Sequence, residues 1–305
     1  MKVAVIGLGA MGARMAGVLI GAGHSVAGFD PSPAASAALE TAGGIAHGSA
    51  AAASAGADAI LLMVVNAQQA AQALFEADGV AKTVPKGALV IASTTMPARD
   101  AAALGAKADA AGLLYLDAPV SGGSIGAEAG TLTFMTAGSD AAFAAAEPLL
   151  HTMGQAIFRL GIQPGAGSTM KMVHQLAAGA NLAVAAEVMS FGAHVGLDPA
   201  QVLEILNRSA GGSWMIADRG PRMLTEGKEP RSAVDIFVKD LGIVLDEARS
   251  ARFPVPLSAA ALQVFLGAAA AGFAQHDDSQ ATRFYEMLAG SQVRSPDPKG
   301  QNKPV

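Results

Sequence analysis

Three polar side chains recur at helical spacing in an otherwise apolar segment of the chain. Lys171 is followed by His174 at i+3 and by Gln175 at i+4, and residues so spaced share one face of a helix. A lysine amine in apolar surroundings is costly unless it is paired or used. The alternative is an exposed lysine beside a histidine that is hydrogen-bonded in the core. The spacing therefore indicates a candidate catalytic group centred on Lys171.

A glycine-rich loop near the N-terminus has the spacing that binds a dinucleotide. A predicted strand, Lys2–Ile6, runs directly into this loop, which opens a predicted helix. The loop reads Gly7-Leu8-Gly9-Ala10-Met11-Gly12. In this GxGxxG pattern the glycines permit a tight turn, close approach of a pyrophosphate, and packing of helix on strand. The N–H groups and the dipole at the helix start then favour the anion, so the pattern predicts a dinucleotide site.

An acidic residue follows the second predicted strand, Ser25–Phe29. Asp30 stands where a carboxylate accepts hydrogen bonds from the adenosine ribose and repels a 2′-phosphate. This favours NAD over NADP as the cofactor. Alternatively, Asp30 caps the helix that begins at Pro31-Ser32, and the two roles are compatible.

Polar residues also follow two later strands. Val65-Asn66 and Thr95 end successive strands at the sheet edge where ligands bind in such folds. We assign these residues to the cofactor side of the site. The alternative is that Asn66 and Thr95 are ordinary caps.

Strand-like and helix-like segments alternate through the first half of the chain, which predicts a parallel sheet flanked by helices. The predicted strands are Lys2–Ile6, Ser25–Phe29, Ala59–Val65, Ala88–Ala92, Leu113–Leu116, Thr131–Ala137 and Ala156–Leu160. Helix-compatible segments such as Ala10–Ile20 and Ala67–Phe75 lie between most of them.

Beyond the turn-rich segment Gly161–Gly167 the pattern predicts helices only. A long helix from Ser168 to about Val195 restarts after Asp198-Pro199, where the aspartate caps and the proline suits the first turn. Further predicted helices are Val234–Ala251, Leu257–Ala271 and Ser279–Leu288. The expected fold class is an α/β Rossmann domain followed by an all-α C-terminal domain. The predicted bounds are 1–162 for the NAD-binding domain, 163–292 for the helical domain and 293–305 for a flexible tail.

Composition limits the classes of function. The chain has 305 residues, enough for two domains, and 51% of them are hydrophobic against 15% charged, as in packed globular proteins. The net charge of −5 and the lack of a Lys/Arg run argue against nucleic acid as a partner. The absence of cysteine is compatible with a cytoplasmic location. Because no uninterrupted apolar run reaches about 18 residues, no membrane-spanning helix and no membrane partner are predicted.

Metal catalysis is not expected. The six histidines are scattered without the spacing of metal ligands. The acid pair Asp277-Asp278 has no obvious partner in the sequence, and we expect it at the solvated surface. No metal is therefore assigned to the site.

Four ordered motifs resemble those of the β-hydroxyacid dehydrogenase family, which includes 3-hydroxyisobutyrate dehydrogenase, tartronate semialdehyde reductase and the N-terminal part of 6-phosphogluconate dehydrogenase. They span almost the whole chain: the glycine-rich loop, Asp117–Gly123 with the sequence DAPVSGG, Lys171, and Lys239–Gly242 with the sequence KDLG. In that family DAPVSGG is a substrate-binding loop, and the lysine matching Lys171 is catalytic. The lysine matching Lys239 reaches the active site near the cofactor. The resemblance implies NAD-dependent oxidation of a small hydroxy acid.

Within the DAPVSGG loop, the residue types suit a substrate carboxylate. Ser121 offers a hydroxyl, and Gly122 and Gly123 leave backbone N–H groups accessible. A plain glycine turn is the alternative.

Hydride leaves a carbinol carbon only as the hydroxyl proton is removed, so a base must lie within hydrogen-bond reach of that oxygen. Lys171 is the candidate. A free lysine, with a pKa of about 10.4, is a poor base near neutrality, so burial or a neighbouring cation must lower its pKa. Lys239 would supply that cation if it converges on the site.

Several short segments resemble the four-carbon sugar-acid members of the family: residues 64–68, 171–176, 212–215, 232–242 and 277–279. This implies oxidation of L-threonate to 2-oxotetronate. His174 and Gln175 are assigned to the substrate; many relatives have Asn in place of Gln175, whereas tartronate semialdehyde reductases also have Gln. Trp214, the only tryptophan, follows Gly211-Gly212-Ser213 and is assigned to the wall of the substrate pocket, with a core position as the alternative.

Two alternative functions remain open at the level of sequence. Within the family, the chain acts on tartronate semialdehyde or 3-hydroxyisobutyrate instead. In another class, it is a non-catalytic dinucleotide sensor, against which the retained Lys171 argues. The Ala-rich helix after residue 168 is expected to pack against a second copy, giving a homodimer or homotetramer.

Overall fold

The computed structural model describes residues 1–225, 230–290 and 292–293. The chain divides after Val173 into two compact units, Met1–Val173 and the described residues from His174 onwards. This division lies inside a continuous helix, Ala166–His194, and beyond the predicted boundary between residues 162 and 163. The predicted domain bounds therefore stay a prediction.

The first unit, all of which is described, is built on a nine-stranded sheet. Its strands are β1 (Lys2–Ile6), β2 (Ser25–Phe29), β3 (Ile45–Ala46), β4 (Ala59–Leu62), β5 (Leu89–Ala92), β6 (Leu114–Asp117), β7 (Val120–Ser121), β8 (Leu132–Ala137) and β9 (Gly154–Gly161). The order is β3-β2-β1-β4-β5-β6-β8-β7, and β9 also pairs with β8. Strands β1 to β6 are parallel, whereas β8 is antiparallel to β6 and β7.

All seven predicted strands are present, with ends shifted by up to three residues. The structure adds β3 and β7, each of two residues, which are too short for an alternation of side chains to reveal. The sheet is also not wholly parallel as predicted, because β8 and β9, which are parallel to each other, run opposite to β6 and β7. Strands β4 and β5 are buried on both faces, as expected for parallel strands covered by helices.

Helices cover the two faces of this sheet. They are α1 (Gly12–Gly21), α2 (Pro33–Thr41), α3 (Ala50–Ser54), α4 (Ala67–Phe75), α5 (Ala98–Ala110), α6 (Gly123–Ala129) and α7 (Asp140–Met153), with a 3-10 turn at Val80–Lys82. Alternate residues of β1 enter separate cores: Val3 and Val5 pack with Met15 of α1, and Ala4 and Ile6 pack on the other face. This is the two-sided burial that an α/β sheet requires.

The strand register aligns the carboxyl ends of five strands. Ile6 pairs with Phe29 and Leu62, Leu62 pairs with Ala92, and Ala92 pairs with Asp117. The loops after β1, β2, β4, β5 and β6 therefore leave the sheet from one edge, the edge that binds ligands in open parallel sheets.

Among the described residues of the second unit, the regular elements are helices, with one isolated antiparallel bridge between Ala233 and Asp277. Its helices are the remainder of α8 (Ala166–His194), α9 (Pro199–Asn207), α10 (Trp214–Met223), α11 (Val234–Ser250), α12 (Pro256–Ala268) and α13 (Thr282–Ala289), with a π-helical turn at Ala269–Phe273 and a 3-10 turn at Asp278–Ala281. The Asp198 side chain accepts the Ala200 N–H at 3.1 Å, and Pro199 occupies the first turn, which confirms the predicted start of α9. Helix α10 was not predicted, because its interior contains Gly220 and Pro221.

A buried ionic group in this unit corrects the expectation for Asp277-Asp278. Arg219 donates to Asp278 at 2.9 Å, and Arg222 donates to both acids at 3.0 Å. Burial acts to raise the pKa of Asp277, but hydrogen bonds from Ser279 and the Arg231 N–H and the charge of Arg222 lower it overall. The acid pair joins α10 to the segment before α13 and is buried, so the expected surface position is wrong. The sequence did not reveal its arginine partners because they lie more than 50 residues away.

The predicted flexible tail starts at residue 293, which the structure describes. Val293 is buried in the helical core, and its N–H donates to Glu286. Residues 294–305 lie outside the described residues, so the rest of this prediction is not addressed.

Two helical segments, Ala166–His194 and Pro256–Phe273, are long and apolar enough to cross a membrane by length and composition. Neither was predicted, because polar residues interrupt the apolar run of each segment. Such helices are weak grounds for a membrane protein, since core helices of other proteins have the same properties.

Candidate active site

The glycine-rich loop and Asp30 meet at the carboxyl edge of the sheet. The Gly7 N–H donates to the Phe29 carbonyl at 2.9 Å, and Asp30 accepts the Leu8 N–H at 2.8 Å. The other oxygen of Asp30 accepts the Ser32 N–H, also at 2.8 Å. Ser32, rather than Asp30, provides the side-chain cap of α2. The carboxylate therefore anchors two loops, and each oxygen keeps a further lone pair for a ligand hydroxyl.

The glycines of the loop fit a dinucleotide. A Cβ on Gly7 would overlap the Met63 carbonyl, and one on Gly12 would overlap the Gly7 carbonyl, so both positions need glycine for the protein's own packing. A Cβ on Gly9 would meet no protein atom within 4 Å. Packing therefore does not explain that glycine, whereas close approach of a pyrophosphate does. Ala10 and Met11 complete the loop before α1 starts at Gly12.

The alternative considered for Asn66, a helix cap, is present in the structure, where Asn66 caps α4. Its side chain accepts the Gln69 N–H at 2.9 Å, and the Gln69 side chain accepts the Val65 N–H at 3.0 Å. Thr95 is half-buried beside the end of β5. The neighbouring Thr94 ties the two strand ends together, because its hydroxyl accepts the Val64 N–H at 3.2 Å. A cofactor role for Val65, Asn66 and Thr95 stays a prediction.

The segment Ser121-Gly122-Gly123 leaves β7 and enters α6. Gly122 and Gly123 have φ values of 128° and 61°, a backbone region that favours glycine. The predicted glycine turn is therefore present, and Ser121 lies half-buried at its start. The turn brings a hydroxyl and backbone amides together, so the two readings of this segment are compatible.

Lys171 is buried in the second turn of α8. The side chain is 7% exposed, and its Nζ donates to the Val120 carbonyl at 2.8 Å. Val120 directly precedes Ser121 in the DAPVSGG loop. The structure thus rejects the exposed-lysine alternative and brings the Lys171 amine to the loop that is predicted to bind substrate.

Asp117 joins the same loop to the start of α8. Its carboxylate accepts the Gly165 N–H at 2.8 Å, the Ser168 N–H at 2.9 Å and the Ser168 hydroxyl at 2.7 Å. Burial raises the pKa of the Asp117 carboxyl, against the lowering effect of hydrogen bonds from Ser168, Gly165 and Gly167. A buried carboxylate with several donors is a strong local anchor.

A second polar group lies within the helical unit. Gln175 donates from Nε2 to Asp240 at 2.5 Å, its Oε1 lies 2.9 Å from His174 Nδ1, and Lys239 Nζ lies 2.7 Å from the other Asp240 oxygen. Close packing of Leu241 on Gly179, where a Cβ would come within 2.7 Å of the leucine, sets α11 against α8. The predicted residues His174, Gln175 and Lys239 are therefore brought together around the buried Asp240.

Trp214 is the first residue of α10 and is 57% exposed. The Arg219 guanidinium lies 5.5 Å from the centre of its ring. The exposure rejects the core alternative, and its assignment to the substrate pocket stays a prediction.

Sequence reasoning gave no role to Asp117, Asp240, Thr94 or the Val120 carbonyl. Asp117 and Asp240 are acids within apolar segments, which is a usable signal, because buried acids need partners. A main-chain carbonyl such as that of Val120 carries no signal in the residue types.

Models of two protein families match the chain in consecutive halves. Residues 2–161 match the NAD-binding domain of 6-phosphogluconate dehydrogenase, and residues 165–285 match the NAD-binding model of NADP-dependent 3-hydroxyisobutyrate dehydrogenase. With the glycine loop and the buried lysine, these matches define an NAD-dependent hydroxyacid dehydrogenase. They favour an enzyme over the non-catalytic sensor.

Known proteins of similar sequence cover nearly the whole chain. An L-threonate dehydrogenase of Cupriavidus necator is 46% identical over 93% of this chain and 96% of its own length, and one of Escherichia coli K12 is 40% identical over 94% and 95%. The crystal structure of a 3-hydroxyisobutyrate dehydrogenase from Salmonella typhimurium has a TM-score of 0.88 at 42% identity, covering 93% of this chain and 99% of its own. The chain belongs to the 3-hydroxyisobutyrate dehydrogenase-like family of β-hydroxyacid dehydrogenases.

Proposed function

We propose that this dehydrogenase oxidises L-threonate at C2 to 2-oxotetronate, with Lys171 as the base. The observation that carries the proposal is the buried Lys171 amine, held 2.8 Å from the Val120 carbonyl directly before the Ser121-Gly122-Gly123 turn. The L-threonate dehydrogenases among its relatives support the choice of substrate.

The first unit would hold NAD along the edge formed by the glycine-rich loop. The loop from Gly7 to Gly12 would face the pyrophosphate, and Asp30 would bind the adenosine ribose. The rest of the cofactor would lie along Val65, Asn66 and Thr95. NAD, when bound, accepts the hydride from the substrate. Lys239 is assigned to the cofactor side, where its ammonium group would be the cation of the site.

The Lys171 amine takes the hydroxyl proton as the carbinol carbon is oxidised, and it returns a proton in the reverse direction. Its hydrogen bond to Val120 fixes the direction of the side chain, which leaves the nitrogen lone pair of the neutral amine for the proton. Burial keeps competing water away from the amine.

The substrate carboxylate would bind the Ser121 hydroxyl and the amides of Gly122 and Gly123. His174 and Gln175 would bind substrate hydroxyls, and Trp214 would close the pocket. Gln175 is already fixed by Asp240 and His174, so it offers only its remaining donor and acceptor positions to a ligand.

A second candidate substrate is 3-hydroxyisobutyrate or tartronate semialdehyde. The name of the Salmonella typhimurium structure favours 3-hydroxyisobutyrate, and Gln175 is compatible with tartronate semialdehyde. A panel of C3 to C6 hydroxy acids, scored for NAD reduction, separates these candidates. We expect L-threonate to have the highest kcat/KM, with D-threonate and L-erythronate as stereochemical controls. A higher value for 3-hydroxyisobutyrate would contradict the proposed substrate and leave the reaction class intact.

Lys171→Ala removes the proposed base. We expect kcat to fall about 10²–10⁴-fold, the usual contribution of a general base. The Kd for NAD, measured by fluorescence titration, should stay within about twofold because the lost interaction is made in the transition state. Lys107→Ala, at an exposed lysine of α5, is the matched control and should keep full activity. Near-normal turnover of Lys171→Ala would assign the proton transfer to another group.

The pair of changes Asp30→Ser and Pro31→Arg should shift cofactor preference towards NADP. The carboxylate that repels a 2′-phosphate is lost and a guanidinium is gained, so the ratio of kcat/KM for NADP to that for NAD should rise by about tenfold or more. Asp58→Ser is the control, since Asp58 also accepts a backbone N–H, from Lys2 at 2.8 Å, but precedes β4 at the opposite edge. An unchanged ratio in the double variant would contradict the role of Asp30.

We also propose that two copies of the chain pack through α8. Val184 and Phe191, seven residues apart on this helix, are 55% and 64% exposed, which favours burial against a partner. Val184→Glu with Phe191→Glu should convert the wild-type oligomer to monomers in light scattering. Phe253→Glu, at a similarly exposed phenylalanine off this helix, should not. A monomeric wild type would contradict this proposal.

A cytoplasmic location remains our expectation.

A further inference from the structure

The segment that carries the base is tied to the substrate loop at two points. Asp117 accepts from Ser168, and three residues further along each segment Val120 accepts from Lys171. The loop and the helix therefore stay in register over three residues, with one contact at the start of the loop and the other at the amine. All four residues belong to the first unit, so the arrangement is complete within it.

We propose that Asp117, through Ser168, is a positioning residue for Lys171. This inference rests on the proposed function of Lys171 as the base. Asp117 would act on the amine through Ser168, whose N–H and hydroxyl its carboxylate accepts. By fixing the first turn of α8 it fixes where the helix starts, and hence the point from which the lysine side chain extends.

The packing at Gly167 makes this position narrowly defined. A Cβ there would overlap the Met135 carbonyl and would lie 2.9 Å from the Asp117 carbonyl. The first turn of α8 thus rests directly on the backbone of β6 and β8. The helix therefore cannot move closer to the strands. The first turn could still rotate or slide along them, and the hydrogen bonds of the Asp117 carboxylate prevent this.

The direction of the hydrogen bonds suits this task. Asp117 binds two backbone N–H groups, of Gly165 and Ser168, as well as a hydroxyl. The first N–H groups of a helix have no acceptor within the helix, and here a buried carboxylate from the neighbouring strand satisfies one of them. An amide at position 117 would present N–H donors to these donors, so the charge state and the acceptor geometry both matter.

The test uses Ser168→Ala and Asp117→Asn in the full-length enzyme with NAD and L-threonate, or the best substrate of the panel. Ser168→Ala should lower kcat about fivefold, the size of one hydrogen bond. Asp117→Asn should lower kcat about a hundredfold, as a misplaced catalytic group does. The Kd for NAD should be unchanged in both. The cofactor-free variants and wild type are also acylated and peptide-mapped. Lys171 should be modified faster in both variants than in wild type, with Lys107 as the internal reference.

Ser139→Ala is the matched control, because Ser139 caps α7 by accepting the Ala142 N–H at 3.2 Å and is remote in sequence from Lys171. It should lower the Tm to a similar degree and leave kcat and the acylation of Lys171 unchanged.

Wild-type kcat and acylation in Ser168→Ala, or losses no larger than those of Ser139→Ala, would overturn the inference. If Asp117→Asn does not fold, Ser168→Ala alone decides. An inactive Lys171→Ala beside a fully active Ser168→Ala would refute the positioning role and leave the proposed function standing. An active Lys171→Ala would refute both.

Discussion

Because Lys171 is only 7% exposed, its amine needs hydrogen-bond acceptors inside the protein, and the carbonyl of Val120 is one of them. Burying an amine without such a partner would cost several kcal/mol, so the loop that contains Val120 and the helix that contains Lys171 must keep a fixed separation. Two features of the first unit help to keep this separation fixed. They are a helix start seated on the sheet at Gly167 and an acid at the end of β6 that binds it.

The parallel sheet places this lysine site on the same edge as the dinucleotide loop. Asp117, Ile6 and Phe29 all end strands at that edge, so Gly7, Asp30 and the substrate loop emerge together. A hydroxyacid dehydrogenase needs a cofactor surface, a carboxylate-binding turn and a base. Loops at this edge provide residues suited to the cofactor surface and the carboxylate-binding turn, and helix α8 provides the base, held against Val120.

The sequence allowed much of this to be predicted, because periodicity and glycine spacing are local properties. β1, β2 and α4 were predicted with their observed bounds, and the residues of the glycine-rich loop and Lys171 follow from spacing alone. The links between segments were less accessible. Asp117 and Ser168 are distant in the chain, as are Gln175 and Asp240, and their pairing depends on packing that no local pattern records. The same cause explains the wrong expectation for Asp277-Asp278, whose arginine partners lie on an unpredicted helix, α10.

The central claim is that the Lys171 amine exchanges a proton with the substrate oxygen. A crystal structure of the enzyme with NADH and the 2-oxo acid bound tests it most directly. The account predicts Lys171 Nζ at about 3 Å from the keto oxygen, within hydrogen-bond reach, with its contact to the Val120 carbonyl retained. A complex in which Nζ points away from that oxygen and another side chain takes its place would contradict the account.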